Sequence, residues 1–174
     1  HVGDAVIYGD TDSVYFSAYP ILKKDIDAGK IPWSKENVIT LYDQVAEAAN
    51  STFEKFMAEA FHCPKSRADV IAAGREIVAE SGLYITKKRY AALVYDLEGF
   101  RSDTEGKPGK VKAMGLDLRR SDTPVFMQDF LSELLLMVLT NKPEKEILDR
   151  ITEFRKEFKQ RPGYEKGSPK RANK

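Results

Sequence analysis

The stretch Val6-Ile7-Tyr8-Gly9-Asp10-Thr11-Asp12-Ser13-Val14-Tyr15-Phe16 sets two carboxylates, two residues apart, between runs of β-formers. A hydrophobic strand normally excludes such charge. Residues 6–8 and 13–18 therefore read as two strands joined by a tight turn over Gly9-Asp10-Thr11-Asp12. Gly9 relaxes the backbone there, and the short acids suit turn positions. The expectation is a β-hairpin with carboxylates at its tip.

Outward from the hairpin, Tyr19-Pro20 and residues 25–32 read as loop. A long helix follows, with Ser34 as N-cap. Val38, Tyr42, Val45, Ala49, Phe53, Phe56 and Ala60 form one apolar stripe at helical spacing, read as core, and Pro64 closes the segment. Residues 70–118 turn β-like: VIAAGREIVAE, LYIT, RYAALVYD and KVKAMGLDL, separated by Ser81-Gly82 and by the turn-rich EGFRSDTEGKPGK. The helical period then returns. Thr123 reads as an N-cap with Pro124 at the first helical position, and Phe126, Phe130, Leu134 and Val138 share a face. Asn141-Lys142-Pro143 breaks that helix. A second one aligns Ile147, Ile151, Phe154 and Phe158 up to Pro162-Gly163, giving an αα-hairpin. Hairpin, helix, several strands and two helices, with no βαβ alternation, predict an α+β fold with a mainly antiparallel sheet.

The 174 residues suit one domain, or one domain with a small appendage; 42% are hydrophobic and 32% charged, as in a soluble protein. No apolar run approaches the ~20 residues of a membrane span, so no membrane partner is expected. Cys63 is the single cysteine, which rules out an internal disulfide. His62 beside it lacks the further ligands a zinc site needs, and a half-buried cysteine is the expected reading. The net charge of +1 conceals a pattern: −5 over residues 1–86, +4 over 87–120, −4 over 121–154 and +6 over 155–174. Two basic blocks suit local polyanion contacts, and a solvated surface with a basic tail accounts for them equally. The chain opens on His1 rather than Met, which suggests excision from a longer protein.

Asp10 and Asp12 held together repel one another and call for a neutraliser. A divalent cation is the economical one. Mg²⁺ prefers carboxylate oxygens, keeps several waters and accepts substrate phosphates as further ligands. In two-metal phosphoryl transfer one ion activates the attacking oxygen and the other steadies the leaving phosphates. An acidic surface turn would show the same D-x-D. So would the nucleophile loop of a haloacid-dehalogenase-type phosphatase, on a parallel α/β sheet, or a D-x-D glycosyltransferase.

The flanks narrow the choice. Tyr8-Gly9-Asp10-Thr11-Asp12-Ser13 is identical to the YGDTDS motif of family B DNA polymerases, and the chain resembles that family over nearly its whole length. The resemblance implies a palm-domain hairpin in which Asp10 and Asp12 are catalytic metal ligands for two Mg²⁺ ions, or Mn²⁺, with Thr11 beside the nucleotide. Lys87-Lys88-Arg89-Tyr90-Ala91 is similar to the KKRYA segment of phage members, which implies primer-strand contacts by Lys87, Lys88, Arg89 and Tyr90. Strand alternation would point Lys88 and Tyr90 to one side, with Lys87 and Arg89 on the other. Arg119 and Arg120 would extend the basic track toward the duplex, and a solvated turn accounts for them equally. Met114-Gly115-Leu116 followed by Ser121-Asp122-Thr123-Pro124 is similar to the passage from palm to thumb in T-even-like phage polymerases. The basic tail resembles that of marine-phage relatives.

Several family motifs are missing. The upstream aspartate of D-x-x-S-L-Y-P, the nucleotide-binding K-x-x-x-N-S-x-Y-G helix and the exonuclease motifs do not occur; Ser17-Ala18-Tyr19-Pro20 lacks the acid at the required spacing. The resemblance thus implies a polymerase fragment: late palm over residues 1–120 and the start of the thumb over 121–174. Such a fragment holds half a metal site and is expected to be inactive alone. Its partners would be primer–template DNA, deoxynucleoside triphosphates and the rest of the polymerase (upstream palm, fingers and exonuclease), acting in DNA replication in the cytoplasm of a bacterial host. A non-catalytic DNA-binding module is the alternative.

Overall fold

The computed structural model describes residues 5–104 and 106–167, apart from the side chains of Asp69 and Arg119. The chain divides into two compact units, His1–Glu76 and Ile77–Lys174.

In the first unit, β1 (Val6–Asp10) and β2 (Ser13–Phe16) form an antiparallel hairpin of two strands. Asp10 pairs with Ser13, so the loop is only Thr11-Asp12, two residues shorter than the sequence suggests. Helix α1 (Tyr19–Asp27) follows where a loop is expected. Pro20 sits in its first turn, where the missing N–H has no intrahelical acceptor to lose, so the proline that reads as a breaker is a starter. Helix α2 (Lys35–Phe61) begins as predicted, with the Asn37 N–H donating to Ser34 Oγ at 3.1 Å. It ends at His62, whose left-handed φ of 52° closes the last turn before Pro64. Its apolar stripe is not a core. Only Val38 is buried in α2, and Val45 and Phe56 are exposed. Cys63 is half-buried, as expected.

The second unit is built on β4 (Arg89–Leu97), whose residues Tyr90–Asp96 are all buried. β3 (Ile77–Thr86) pairs along one edge; β5 (Phe100–Arg101) and β6 (Lys110–Met114) pair along the other, all antiparallel. β3 runs unbroken through Ser81-Gly82, which the sequence marks as a break, with shifts of register absorbing the irregularity. Residues 71–76, read as strand, are not strand. The β4–β5 turn places Glu98 and Gly99 at φ 51° and 89°, and buried Asp96 accepts the Gly99 N–H at 3.1 Å.

Helix α3 (Val125–Leu139) packs on one face of this sheet. Ala91 and Leu93 of β4 meet Leu135 and Leu139 of α3 and Leu118, with Val111, Ala113, Leu116, Leu131 and Leu136 around them. The predicted cap is displaced: helix α3 starts after Pro124, and Thr123 Oγ1 donates to the Asp117 carbonyl instead of capping it. Helix α4 (Glu144–Gln160) turns back on α3 through Thr140–Pro143, giving the expected αα-hairpin, and α5 (Gly163–Lys166) adds a short turn. Phe130 and Phe154 stack face to face with centroids 3.6 Å apart, and Arg150 of α4 bonds Glu133 of α3 across the helix pair and Glu157 within its own helix.

The fold is α+β with two antiparallel sheets. Every strand pair among the described residues is antiparallel, so the parallel sheet of the phosphatase reading is not met. No helix among the described residues is long and apolar enough to cross a membrane.

Candidate functional site

The acidic hairpin is a tight device. Thr11 carries φ 51°, a costly conformation for a β-branched residue, and the type of local strain that concentrates at functional turns. Asp10, half-buried at the end of β1, is fixed by its neighbours. Thr11 Oγ1 donates to its Oδ1 at 3.1 Å, and Ser13 Oγ donates to its backbone carbonyl at 3.0 Å. The Tyr8 hydroxyl makes a long 3.5 Å approach to Oδ2. Asp12 stands exposed at the apex. Paired carboxylates are the donor chemistry that a hard cation such as Mg²⁺ or Mn²⁺ prefers. Among the described residues no three His, Cys, Asp or Glu side chains gather as a complete metal cluster.

Two contacts that sequence reading missed hold this hairpin. The Tyr42 hydroxyl of α2 donates to the Phe16 carbonyl at 2.6 Å while its ring meets Phe16 edge-on at 4.7 Å. Burial pushes the Tyr42 hydroxyl above its ordinary pKa, so it stays a donor. Tyr8 and Tyr15, paired across the ladder, bring their rings to 5.5 Å. Tyr42 reads in sequence as one member of an apolar stripe; nothing there marks its hydroxyl as an anchor.

The basic segment is also a hairpin turn. Thr86 pairs with Arg89, leaving Lys87-Lys88 as the two-residue loop between β3 and β4, with Lys88 at φ 61°. Strand alternation therefore does not apply at Lys88, which the sequence reading set on one face with Tyr90. Lys87, Lys88 and Arg89 are exposed. Tyr90 is only 4% exposed and stacks on Tyr84, its partner across the ladder, at 5.6 Å. Arg120 is held by Asp122 through two bonds of 2.9 and 2.8 Å; these bonds, then the charges of Asp122 and Asp117, raise its pKa further above the ordinary arginine range. Its fork is engaged within the protein. The Arg119 side chain lies outside the described residues, as does the tail beyond residue 167.

Comparison with known proteins gives the chain its relatives. The DNA-directed DNA polymerase of Escherichia phage RB69 is 31% identical over 142 residues, covering 77% of this chain and 15% of that protein. The chain is homologous to part of the phage and viral DNA polymerases. DNA polymerase 037L of Invertebrate iridescent virus 6 is 27% identical over 153 residues, 87% of this chain and 11% of that polymerase. The DNA-directed DNA polymerase of Enterobacteria phage T4 is 26% identical over 169 residues, 90% of this chain and 18% of that polymerase. The chain thus spans less than a fifth of each polymerase it matches. No family model matches it.

Proposed function

We propose that this chain is a segment of a family B, phage-type replicative DNA polymerase, contributing metal-binding carboxylates and primer–template contacts to template-directed nucleotidyl transfer. Residues 1–120 correspond to late palm and 121–174 to the start of the thumb. The observation that carries this reading is the YGDTDS hexapeptide folded as a two-residue hairpin turn, with Asp10 fixed by hydrogen bonds and Asp12 exposed at the apex.

Asp10 and Asp12 would hold Mg²⁺ or Mn²⁺, the remaining ligands coming from water, nucleotide phosphates and a carboxylate outside this chain. When bound, such ions activate the attacking oxygen and neutralise charge developing on the leaving phosphates. The protein's part is positional. Tyr42 and the Tyr8–Tyr15 pair fix the hairpin, and the Asp10 bonds fix one carboxylate before any ligand arrives. Thr11 would lie beside an incoming deoxynucleoside triphosphate. Lys87, Lys88 and Arg89 supply cations for the primer backbone. Buried Tyr90, stacked on half-buried Tyr84, would support that turn, a supporting role more than the direct primer contact expected from its sequence. Arg120 would meet the duplex from beside Asp122, which holds its Nε and one terminal nitrogen. Lacking the upstream aspartate of the D-x-x-S-L-Y-P motif, the chain alone should not extend primers. Its partners are then the upstream palm, fingers and exonuclease of the same polymerase, working in the cytoplasm of a bacterial host.

Primer extension with Mg²⁺ tests this, using the chain alone and mixed with a separately made upstream portion of a close relative. Extension in the mixture only, abolished by Asp12→Asn, is the expected result. Extension by the chain alone, or extension indifferent to Asp12→Asn, would overturn the assignment. Salt-sensitive DNA binding with no metal dependence in any mixture would favour the non-catalytic DNA-binding module.

A further inference from the structure

Lys88 holds an uncommon left-handed conformation for a long side chain, and its support comes from a residue 27 positions away. Gly115 ends β6, directly after Met114, which pairs with Tyr90. Its own φ is 65°, in the region where only glycine sits without strain. Space forbids a side chain there as well. A Cβ on Gly115 would collide with the Lys88 carbonyl oxygen, with the Lys88 carbonyl carbon at 3.2 Å and Arg89 Cγ at 3.1 Å. Two of those three neighbours are backbone and cannot rotate away. The contact is also bonded: Arg89 Nε donates to the Gly115 carbonyl at 3.2 Å.

The segment that follows Gly115 is confined as well. Thr123 Oγ1 donates to the Asp117 carbonyl at 3.0 Å, and Gln128 Nε2 of α3 donates to the Arg120 and Thr123 carbonyls at 3.1 and 2.8 Å. Arg120 bridges Asp122 and Asp117 within the same segment. Residues 117–123 are therefore pinned to the start of α3, two residues after Gly115. A side chain at Gly115 would be relieved by displacing the Lys87-Lys88 turn more readily than by displacing this clasp.

We infer that Gly115 is a positioning residue for the basic turn, its bare backbone setting the Lys88 conformation and the Arg89 guanidinium so that the cations of the turn meet a nucleic-acid backbone together. The inference rests on the proposed DNA contact of Lys87, Lys88 and Arg89, and gives that contact a residue that touches no DNA itself.

The test is the salt dependence of binding to a primer–template duplex, because the slope of log Kd against log salt counts phosphate contacts while a loss of folded protein leaves it unchanged. Four forms of the full chain are compared. Lys88→Gly keeps the left-handed backbone and removes one cation; its slope should fall by about one. Gly115→Ala changes no charge, yet its slope should fall by about one to two, as cations of the turn lose register with phosphates. Arg89→Lys keeps the charge and avoids any clash, so it remains informative should Gly115→Ala fail to fold. Without the fixed Nε bond to Gly115 its affinity should drop at least threefold, with a shallower slope. A wild-type slope in Gly115→Ala, or in Arg89→Lys where the alanine variant does not fold, overturns the inference. No salt-dependent binding by the wild-type chain would overturn the DNA-contact reading itself, and this inference with it.

Discussion

The acidic turn Thr11-Asp12 and the basic turn Lys87-Lys88 use the same local device and rest on different foundations. Each is a two-residue hairpin loop with one non-glycine residue in the left-handed region. The basic turn ends a sheet whose middle strand is buried throughout and backed by α3, with a core of Ala91, Leu93, Leu118, Leu135 and Leu139. The acidic turn ends a two-stranded ribbon, a form that is marginal by itself. Its unit buries only Ala5, Ala18, Val38 and Ala68 among its described apolar residues, while Val14, Phe56, Phe61 and Val70 are exposed. Charge at a hairpin tip costs little in either place. What differs is how firmly the strands beneath it are held. For the acidic turn that task falls on a few named contacts, with Tyr42 foremost.

The difference can be broken most forcefully in the two apolar sets. Leu93 is 1% exposed, and Leu93→Ala should destabilise its unit by about 2–5 kcal/mol, lowering the urea midpoint of that unit's unfolding. Phe56→Ala, at 53% exposed, should cost under about 1 kcal/mol. Comparable losses from the two would erase the contrast. Next in size is Tyr42→Phe, which leaves the Phe16 carbonyl without its 2.6 Å donor. A cost of about 1 kcal/mol is expected, with faster hydrogen exchange along the β1–β2 ladder and none of that acceleration in β3–β4.

The smallest effect concerns acid. The hydrogen bonds from Arg150 hold the Glu133 carboxyl below its ordinary range. A lowered carboxylate stabilises fully above its unfolded value, near pH 4–5, and the gain vanishes as pH falls through the folded value. Glu133→Gln should therefore flatten the acid limb of the second unit's stability curve. The pair is partly exposed, so solvent screening limits the change to under about 1 kcal/mol near neutral pH.

Much of this architecture is legible in the sequence, and the misreadings have physical causes. The acidic hairpin, helix α2 with its Ser34 cap and the αα-hairpin follow from period and turn chemistry, whereas Lys87-Lys88 reads as strand because two lysines carry no turn signature. Helix α1 was hidden because Pro20 breaks a helix interior and suits a first turn, and sequence alone does not say which position it occupies. Ser81-Gly82 suggested a break, yet Gly82 leaves room on the strand for the Tyr84 ring that lies across it. The α2 stripe has helical spacing without telling whether anything covers it. Asp10 and Asp12 stand out by their charge between β-formers, whereas Tyr42 and Gly115 act through one hydroxyl and one absent methyl group, which leave no pattern in a single sequence.

The most direct measurement is a Mn²⁺ titration of the chain followed by paramagnetic broadening of its backbone amide NMR signals. The account predicts selective broadening of Gly9 to Ser13 ahead of the other acidic segments, lost in Asp12→Asn. Broadening spread evenly over the acidic surface, or unchanged by Asp12→Asn, would contradict the claim that this hairpin is built to hold a divalent cation.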